Sequence, residues 1–231
     1  MKAKSTSLSV ILSLALLSIV LVTLSQATTI IVNPDENIQH AIDRAQPGNV
    51  IEVLSGIYEE CLTVDTPNLT LRGISSGDDL PILLAISDRS AITINANETT
   101  VECFEIRGAY SCELSVAGVM VNSNDNIIVN NSIYDNIEPY GFSTLNGFGV
   151  FLRGGNNTII CNSIRNNTVG MVVLSDNNVI TKNVIIDNYN SLSRDAIGVI
   201  LSGSKNVMED NVMDNNNVED EGADNIIIVR V

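Results

Sequence analysis

Apolar residues along this chain fall in short runs separated by polar residues. Most runs hold three to five residues, which is too short for a helix and typical of β-strands. In the second half, Asn recurs in sets of three at a spacing of five, and each set begins eight residues after a Gly that precedes an apolar run. The sets are Asn126, Asn131 and Asn136; Asn157, Asn162 and Asn167; Asn178, Asn183 and Asn188; and Asn206, Asn211 and Asn216. This constant spacing indicates a repeat architecture.

Three short strands per repeat, each followed by a polar corner, predict one triangular coil of a parallel β-helix. The shortest repeat, from Asn157 to Asn178, is 21 residues long. Stacked coils place equivalent residues about 4.8 Å apart, so each Asn column is expected to form a hydrogen-bonded ladder at an inward-facing corner. Asn also tolerates the left-handed backbone that such corners often need. The predicted fold class is therefore all-β, and the twelve Asn residues are interpreted as structural.

One amphipathic helix is expected before the repeats. A strand at residues 29–32 leads into Asn33-Pro34-Asp35-Glu36, where Asn33 would cap the helix and Pro34 would be its first residue. Apolar residues then share one helical face, at Ile38, Ala41, Ile42 and Ala45. Such a helix would cover one end of the solenoid core. The predicted domains are residues 28–48 for the strand and capping helix and 49–231 for the repeats.

The last apolar run, residues 225–231, is predicted to start another coil without a cap after it. An apolar edge left open in this way invites association. Either the chain assembles through this end, or it is a fragment of a longer protein.

The N-terminus has the pattern of a secretory signal peptide, predicted for residues 1–27. Lys2 and Lys4 precede an apolar run over residues 8–24, and Ser25-Gln26-Ala27 supplies small residues at the cleavage site. The alternative is a retained membrane anchor, for which the run is short. Cleavage would leave no membrane span, and the protein is expected outside the cell, at the cell surface or in a periplasm-equivalent space.

The net charge of −15 argues against nucleic acid and anionic membranes as partners, because both would be repelled. The chain has four cysteines, Cys61, Cys103, Cys112 and Cys161, and export would permit disulfides. Register places Cys103 and Cys161 two coils apart, about 10 Å, which is too far to bridge. Free thiols are an equal alternative for all four. Five glycosylation sequons begin at Asn68, Asn97, Asn130, Asn156 and Asn166.

Several sequence motifs resemble the NosD-type right-handed parallel β-helix proteins. These motifs are Ile38-Gln39-x-Ala41-Ile42, Pro47-Gly48-Asn49-Val50-Ile51-x-Val53, Gly56-Ile57-Tyr58-x-Glu60 and Leu69-Thr70-Leu71-Arg72-Gly73. That family belongs to the "carbohydrate-binding and sugar hydrolysis" repeat group, with pectate lyases and alginate epimerases. Its secreted and cell-surface members are common in methanogenic archaea. The resemblance implies a right-handed, single-stranded β-helix and leaves the activity open, because one fold hosts many functions.

Insertions between the third Asn of a set and the next Gly would stack on one side of the solenoid, where repeat proteins bind partners. The predicted loops are residues 109–117, 137–148, 189–197 and 217–224. In the resembling lyases, the corresponding loops and the outward face of the next strand form the polysaccharide cleft. The loops and that strand supply the candidate ligand-binding residues Tyr110, Glu113, Glu138, Tyr140, Phe142, Asn146, Arg153, Tyr189, Arg194 and Asp195. Glu219, Asp220 and Glu221 lie in the last loop and are expected to be solvated.

The outward positions of the Gly-led strand are predicted to be largely apolar, with Arg153 as the only charge and no carboxylate. Glycoside hydrolysis requires two carboxyl groups across a cleft, so the expected catalytic floor is absent. The catalytic candidates are therefore limited to Arg153, Glu138 and Asp195. The apolar stripe would be buried under the loops or would contact another protein.

No metal site is predicted from the sequence. Copper sites need clustered His, Met or Cys, whereas His40 is the sole histidine and Met208 and Met213 occupy core positions. Weak Ca²⁺ binding by the acidic run remains an alternative, without a recognisable loop motif.

The sequence thus favours a secreted, non-catalytic binding or structural module for polysaccharide or another envelope component. One alternative is a polysaccharide lyase, hydrolase or epimerase that uses loop carboxylates near Arg153. A second is a NosD-like factor for copper-site maturation.

Overall fold

The computed structural model of the chain describes residues 27–77, 79–86, 88–111, 115–137, 147–189 and 196–230. These residues form one α-helix, α1 (Ile38–Arg44), and 22 β-strands. The strands stack in parallel as successive coils of a solenoid, each coil contributing one strand to each of three faces. The all-β, three-strand coil and the N-terminal helix predicted from the sequence are confirmed. Within the described residues, no helix is long and apolar enough to cross a membrane.

Faces A and B form one sheet of 15 strands, and face C is a separate sheet of seven. Face A contains β1 (Thr29–Val32), β2 (Val50–Leu54), β5 (Thr70–Ile74), β8 (Thr100–Glu102), β11 (Ile127–Val129), β14 (Thr158–Ile160), β17 (Val179–Thr181) and β22 (Ile226–Arg230). Face B contains β3 (Ile57–Glu59), β6 (Ile82–Leu84), β9 (Glu105–Arg107), β12 (Ser132–Tyr134), β15 (Ser163–Arg165) and β18 (Val184–Ile186). Strand β20 (Val207–Asp214) joins the two faces. Face C contains β4 (Leu62–Val64), β7 (Ile92–Ile94), β10 (Ala117–Val121), β13 (Phe148–Leu152), β16 (Val169–Val173), β19 (Ile197–Leu201) and β21 (Asn217–Asp220).

The three Asn columns form ladders inside the three corners of the coil. At the corner between faces A and B, Asn131 Nδ2 donates to Asn162 Oδ1 at 3.1 Å, and Asn162 Nδ2 donates to Asn183 Oδ1 at 3.0 Å. The backbone N–H of each ladder residue also donates to the side-chain oxygen of the next, as from Asn162 to Asn183 at 2.9 Å. One amide therefore satisfies polar groups of two coils in an interior that excludes water.

The left-handed backbone expected at the ladder Asn residues lies one position earlier. Each of the twelve is preceded by a residue with φ between 51° and 61°. These residues are Asp125, Asn156, Asn177 and Lys205; Asn130, Cys161, Lys182 and Asp210; and Asp135, Asn166, Asp187 and Asn215. A single left-handed residue turns the strand sharply, so that the next side chain points inward. Asn and Asp adopt this conformation at the lowest cost among residues other than Gly, which accounts for nine of the twelve identities.

The Gly that begins each face C run lies against the ladder at the corner between faces B and C. A Cβ on Gly149 would lie 2.5 Å from the carbonyl oxygen of Gly170 and 2.9 Å from Nδ2 of Asn167. Gly170 is equally confined by Gly198 and Asn188. Close packing of backbone on ladder side chains, rather than a special φ, therefore explains the glycines.

The capping helix begins later than predicted. Its N-cap is Asn37, whose side chain accepts a hydrogen bond from the backbone N–H of His40, and not Asn33. Asn33 and Glu36 instead close a turn in which Glu36 Oε2 accepts from the Asn33 backbone N–H at 2.8 Å. These hydrogen bonds lower the pKa of Glu36. The bond from the Asn33 N–H to the Glu36 side chain is one half of a capping box, so the sequence pattern here marks a turn and not the start of the helix.

Two side chains attach the helix to the first coil. Glu60 accepts hydrogen bonds from the first helical N–H groups, at 2.8 Å from Ile38 and 3.2 Å from Gln39. The Gln39 side chain pairs with the backbone of Thr63 in both directions, at 2.8 and 3.0 Å. Helix residues Ile38, Ala41 and Ile42 are buried and close the end of the core, as expected.

The C-terminal coil has a different register from the predicted one. Residues 217–220, expected to lie in a loop, form β21 and pair with β19 on face C. Residues 226–230, expected on face C, form β22, which pairs with β20 along face A and, at Arg230, at the start of face B. Asn225 Oδ1 accepts from the Asn206 backbone N–H at 2.8 Å and so continues a ladder that the spacing rule ended at Asn206. The last coil is shorter at β21, where Asn217 directly follows Asn216 and the register with β19 shifts between Ile197 and Val199. The shortened coil has no equivalent of Gly198, which hid it from the period.

Candidate functional site

The outward column of face C is apolar and buried along most of its length. Thr93, Met120, Phe151, Val172 and Ile200 stack in register from coil to coil. Met120 and Phe151 are each 5% exposed, and they pack with a neighbouring outward set that contains Ala117, Phe148, Val169 and Ile197. The apolar stripe expected from the sequence is therefore present and buried. The loops expected to cover it lie mostly outside the described residues.

A carboxylate closes this column at its C-terminal end. Glu219 pairs in register with Ile200, so the prediction of a floor without carboxylates is wrong there. The error follows from the misplaced last coil, because residues 217–224 were expected to form a loop and not a strand of face C. Asp220 accepts hydrogen bonds from Asn225 Nδ2 and the Gly222 backbone N–H. The acidic run is thus part of a strand and its turn instead of a loop, and Asp220 and Glu221 are exposed there, as expected.

A polar column runs beside the stripe, formed by the residue that follows each face C strand. Asn95 Nδ2 donates to Asp65 Oδ1 at 2.8 Å, and Asn122 Nδ2 donates to Asn95 Oδ1 at 2.9 Å. Arg153 occupies the next coil, because its backbone N–H donates to Val121 as that of Asn122 donates to Ile94. All four side chains are exposed. The column presents amide, carboxylate and guanidinium groups to solvent at intervals of one coil.

A cleft of about 400 Å³ opens at the junction of this column and the stripe. Its lining residues are Asp88, Arg89, Ser90, Thr93, Ser115, Val116, Met120 and Arg153. The cleft thus combines a partly apolar floor with hydroxyl groups, two guanidinium groups and one carboxylate. Sites for small ligands and sugars have this mixture of apolar surface and a few polar groups.

The two arginines are held in place without ion pairs. The Arg153 guanidinium lies 4.8 Å from the ring centroid of Phe151, a cation–π contact. Arg89 Nη2 donates to Thr63 Oγ1 at 3.1 Å. Among the described residues, ion pairs involve only Arg72 and Arg230. Arg89 and Arg153 therefore keep most of their N–H donors for a ligand or solvent.

Arg153 is the one sequence-predicted site residue that the structure places in the cleft. Tyr110 and Tyr189, 38% and 50% exposed, lie within the described residues but do not line it. The other loop candidates lie outside the described residues: Glu113, Glu138, Tyr140, Phe142, Asn146, Arg194 and Asp195. The sequence analysis missed Arg89. This residue lies in the segment just before strand β7, the position at which the predicted loops precede the later strands of face C.

Neither the cysteines nor the acidic residues form a metal centre within the described part of the chain, where no group of three His, Cys, Asp or Glu side chains converges. Cys103 and Cys161 are free thiols. They lie in the same column at the corner between faces A and B, and the coil that contains Asn130 separates them. Burial raises the pKa of the Cys103 thiol, and the nearby Glu102 carboxylate adds to this effect. Cys112 lies outside the described residues.

The asparagines of all five sequons are exposed. Asn68, Asn130, Asn156 and Asn166 occupy left-handed corner positions. The Asn97 side chain accepts from the Asn124 backbone N–H, and the Asn166 side chain donates to Asp135. Glycosylation at any of the five stays a prediction.

Comparison with known proteins identifies the family of the chain. Residues 85–228 match the family described as the right handed beta helix region. The chain belongs to the right-handed β-helix family. No curated protein matches its sequence. The narrower NosD-type and archaeal assignments stay predictions.

Two solved structures are similar to this β-helix chain. One is a pectin methylesterase mutant in complex with a hexasaccharide, at 17% identity and a TM-score of 0.48 over 77% of this chain. The other is an alginate lyase from Paenibacillus sp. str. FPU-7, at 14% identity and a TM-score of 0.42 over 87% of this chain. The chain spans 61% of the length of the first protein and 97% of the second. Likeness at this level assigns no residue role to this chain.

Proposed function

We propose that this β-helix protein is an exported, non-catalytic module that binds polysaccharide along the outward side of face C. The observation that carries the proposal is the cleft at Arg89 and Arg153, with the polar column leading away from it. Exposed amides bind sugar hydroxyl groups, and guanidinium groups bind carboxylates in a two-pronged geometry. The combination favours a polysaccharide that carries acidic sugars.

Charge supports the same ligand class. Acidic residues outnumber Lys and Arg by 27 to 12, so a cleft with two arginines that form no ion pair among the described residues departs from the acidic balance of the chain. Nucleic acid would meet the repulsion of the whole chain, whereas a sparsely charged polysaccharide would meet mainly the local cations. Export rests on the N-terminal pattern of residues 1–27 and is part of the proposal.

Catalysis is the second candidate, and the presence of Asp88 in the cleft favours it. Asp88 is the one carboxylate among the described lining residues, so a two-carboxylate glycosidase mechanism has no second partner there. A lyase or epimerase would need only a base and a cation that neutralises the uronate, and Asp88 with Arg153 could supply both. Binding alone requires neither a base nor a second carboxylate, and the partly apolar floor of the cleft favours it.

The test measures binding and turnover in the same samples. The purified protein is incubated with acidic and neutral polysaccharides, with and without Ca²⁺, and reducing ends and unsaturated products are followed. Retention of the protein on each polymer is scored in parallel. The variants are Arg153→Gln and Arg89→Gln for binding and Asp88→Asn for turnover. Arg230→Gln removes the same charge from an exposed site at the C-terminal coil and is the matched control.

We expect retention on acidic polymers without turnover, and about tenfold weaker retention for each cleft variant because one charge-assisted hydrogen bond is lost. Turnover that disappears in Asp88→Asn would replace the binding module with an enzyme. Equal retention on acidic and neutral polymers, unchanged by either cleft variant, would exclude the cleft as the site.

A further inference from the structure

A second cationic cluster lies on face B, away from the cleft. Arg107, Tyr134 and Arg165 are the last residues of β9, β12 and β15, and they occupy one outward column over three consecutive coils. The Arg165 guanidinium lies 4.4 Å from the Tyr134 ring centroid, and that of Arg107 lies 5.9 Å from it. We call these three residues the Arg-Tyr-Arg column.

The arginines of this column are unpaired in the described residues. Neither forms an ion pair or a side-chain hydrogen bond there, and Arg107 Nε is buried without any partner. Arg72, on face A, shows the contrast: it contacts Glu102 at 2.6 Å and Glu52 at 3.6 Å. In a chain with more than twice as many acidic as basic residues, two adjacent unpaired guanidinium groups are an exception that calls for an anionic partner.

The tyrosine holds both cations in a fixed arrangement. Its hydroxyl donates to Glu105 Oε2 at 2.6 Å, which fixes the ring on the sheet surface. Burial raises the pKa of Tyr134, and the hydrogen bond to Glu105 adds to the effect, so the hydroxyl stays protonated and the ring stays neutral. Cation–π stacking then restrains two long side chains before any ligand binds, which lowers the entropy cost of binding.

The spacing of the column selects the ligand class. The Cα atoms of Arg107 and Arg165 are two strand spacings apart, about 10 Å. Their guanidinium groups lie 5.9 and 4.4 Å from the centroid of the Tyr134 ring. The ring thus takes up the space between the two strands, and the pair matches a polymer with separated anionic groups. Double-stranded DNA carries a charge about every 1.7 Å and would meet the repulsion of the acidic chain. Ser132 and Ser163 pair in register on the same outward face and add hydroxyl groups suited to a sugar.

From these contacts we infer that the Arg-Tyr-Arg column is a second binding site, which takes a polysaccharide bearing carboxylate or sulfate groups. The site lies on a different face from the cleft, so it goes beyond the proposed function. Together with the cleft, and only if that proposed function holds, it would let one molecule bridge two polysaccharide chains.

Isothermal titration with three oligosaccharides of equal length tests the site: galacturonate hexasaccharide, sulfated maltohexaose and maltohexaose. The variants are Arg107→Gln and Arg165→Gln in the column, Arg153→Gln in the cleft and Arg230→Gln as the charge control. Thermal unfolding of each variant verifies the fold. The charged probe that binds more tightly identifies the oxyanion, carboxylate or sulfate.

We expect each column variant to weaken the binding of one charged probe molecule by about tenfold, the effect of one charge-assisted hydrogen bond, and to flatten its salt dependence. Arg153→Gln should leave that binding event unchanged, and maltohexaose should not bind. Column variants that bind like the wild type, or equal binding of maltohexaose, would overturn the inference. An effect of Arg153→Gln alone would leave the cleft proposal standing.

The tyrosine provides a second check that separates binding from folding. Tyr134→Phe keeps the ring on which the guanidinium groups stack and removes only the hydroxyl bond to Glu105, so binding should change by less than about threefold. Arg165→Lys keeps the charge but loses the planar fork, and should weaken binding without changing thermal stability. Full binding by Arg165→Lys together with lost binding by Tyr134→Phe would contradict the proposed geometry.

Discussion

Replacing Asn162 by Ala is expected to destabilise the protein severely, although the change removes only a small polar side chain. Asn162 is 1% exposed and lies mid-way along the ladder between faces A and B. Its Oδ1 accepts from the backbone N–H of Asn131 at 2.9 Å and from Asn131 Nδ2 at 3.1 Å. Its Nδ2 donates to the carbonyl of Ile128 at 2.8 Å.

The Ala variant would remove the hydrogen bonds that Asn162 makes to the Asn131 backbone N–H and to the Ile128 carbonyl, both buried in the coil before it. Asn131 Nδ2 would keep its bond to the Val101 carbonyl. Each unsatisfied buried group costs about 1 to 3 kcal/mol, so the expected loss for the two is about 2 to 6 kcal/mol. A domain of this size has a free energy of unfolding of about 5 to 15 kcal/mol, so a large share of the stability depends on one amide. The small cavity left by the side chain adds to the loss.

Asn124 offers a matched control because it makes similar bonds between coils on the exposed surface. Its Oδ1 accepts from the Gly155 backbone N–H at 2.8 Å, and its own N–H donates to Asn97. Water can replace these bonds, so Asn124→Ala should cost less than about 1 kcal/mol. Urea unfolding measures both variants, and hydrogen exchange at the Asn131 amide locates the damage, since solenoids can unfold in parts. Equal losses for Asn162→Ala and Asn124→Ala would refute the argument from burial.

Two further predictions concern the N-terminal end. Glu60→Gln should weaken the attachment of α1 by about 1.5 to 3 kcal/mol, because the negative charge is removed and one of the two oxygens that accept from Ile38 and Gln39 becomes an NH2 donor. Glu59→Gln on the exposed neighbour should have almost no effect, and hydrogen exchange of the helix amides checks both variants. Burial, with the charges of Glu60 and Glu36, raises the pKa of Tyr58 from 10.0 to about 12. The neutral Tyr58 hydroxyl should therefore make its full contribution to the free energy of unfolding below pH 10, and this contribution should be lost as the pH rises toward about 12. Unfolding measured as a function of pH should show this alkaline step in the wild type and not in Tyr58→Phe.

The coil could be predicted from the sequence because the same physical requirement repeats at a fixed interval. An inward corner needs a side chain that both donates and accepts, and Asn meets that need at Asn157, Asn162 and Asn167 as it does one coil later. The glycines recur for a matching reason, since Gly149 has no space for a Cβ. Because every stacked coil has these same requirements, the residues that meet them recur at a regular interval in the sequence.

The prediction was wrong where an interaction is made only once. The helix begins after Asn37 because Glu60, distant in sequence, binds its first N–H groups, and no local pattern reveals that contact. The last coil is shortened at β21, where the register with β19 shifts, so Asn225 follows Asn206 by 19 residues and falls outside the spacing seen earlier. Both errors arise in the first and last coils of the described residues, where the residues do not follow the spacing of the coils between them.

Functional sites are harder to predict from the repeat, because the residues that form them are not required by the stacking of the coils. Outward positions are free of the ladder's requirements, so Arg107, Tyr134 and Arg165 replace one another in one column without disturbing the core. Such a column emerges only once the register is known, because the register decides which outward residues stack on one another. Arg153 is recognisable in that way, as the one outward charge on its strand. Arg89 is harder to recognise because the first coils are irregular, and the period of the later coils does not extend back to the residues before β7. Cationic sites on a solenoid of this kind are therefore found by aligning the outward residues of every coil, and the irregular coils must be included in that alignment.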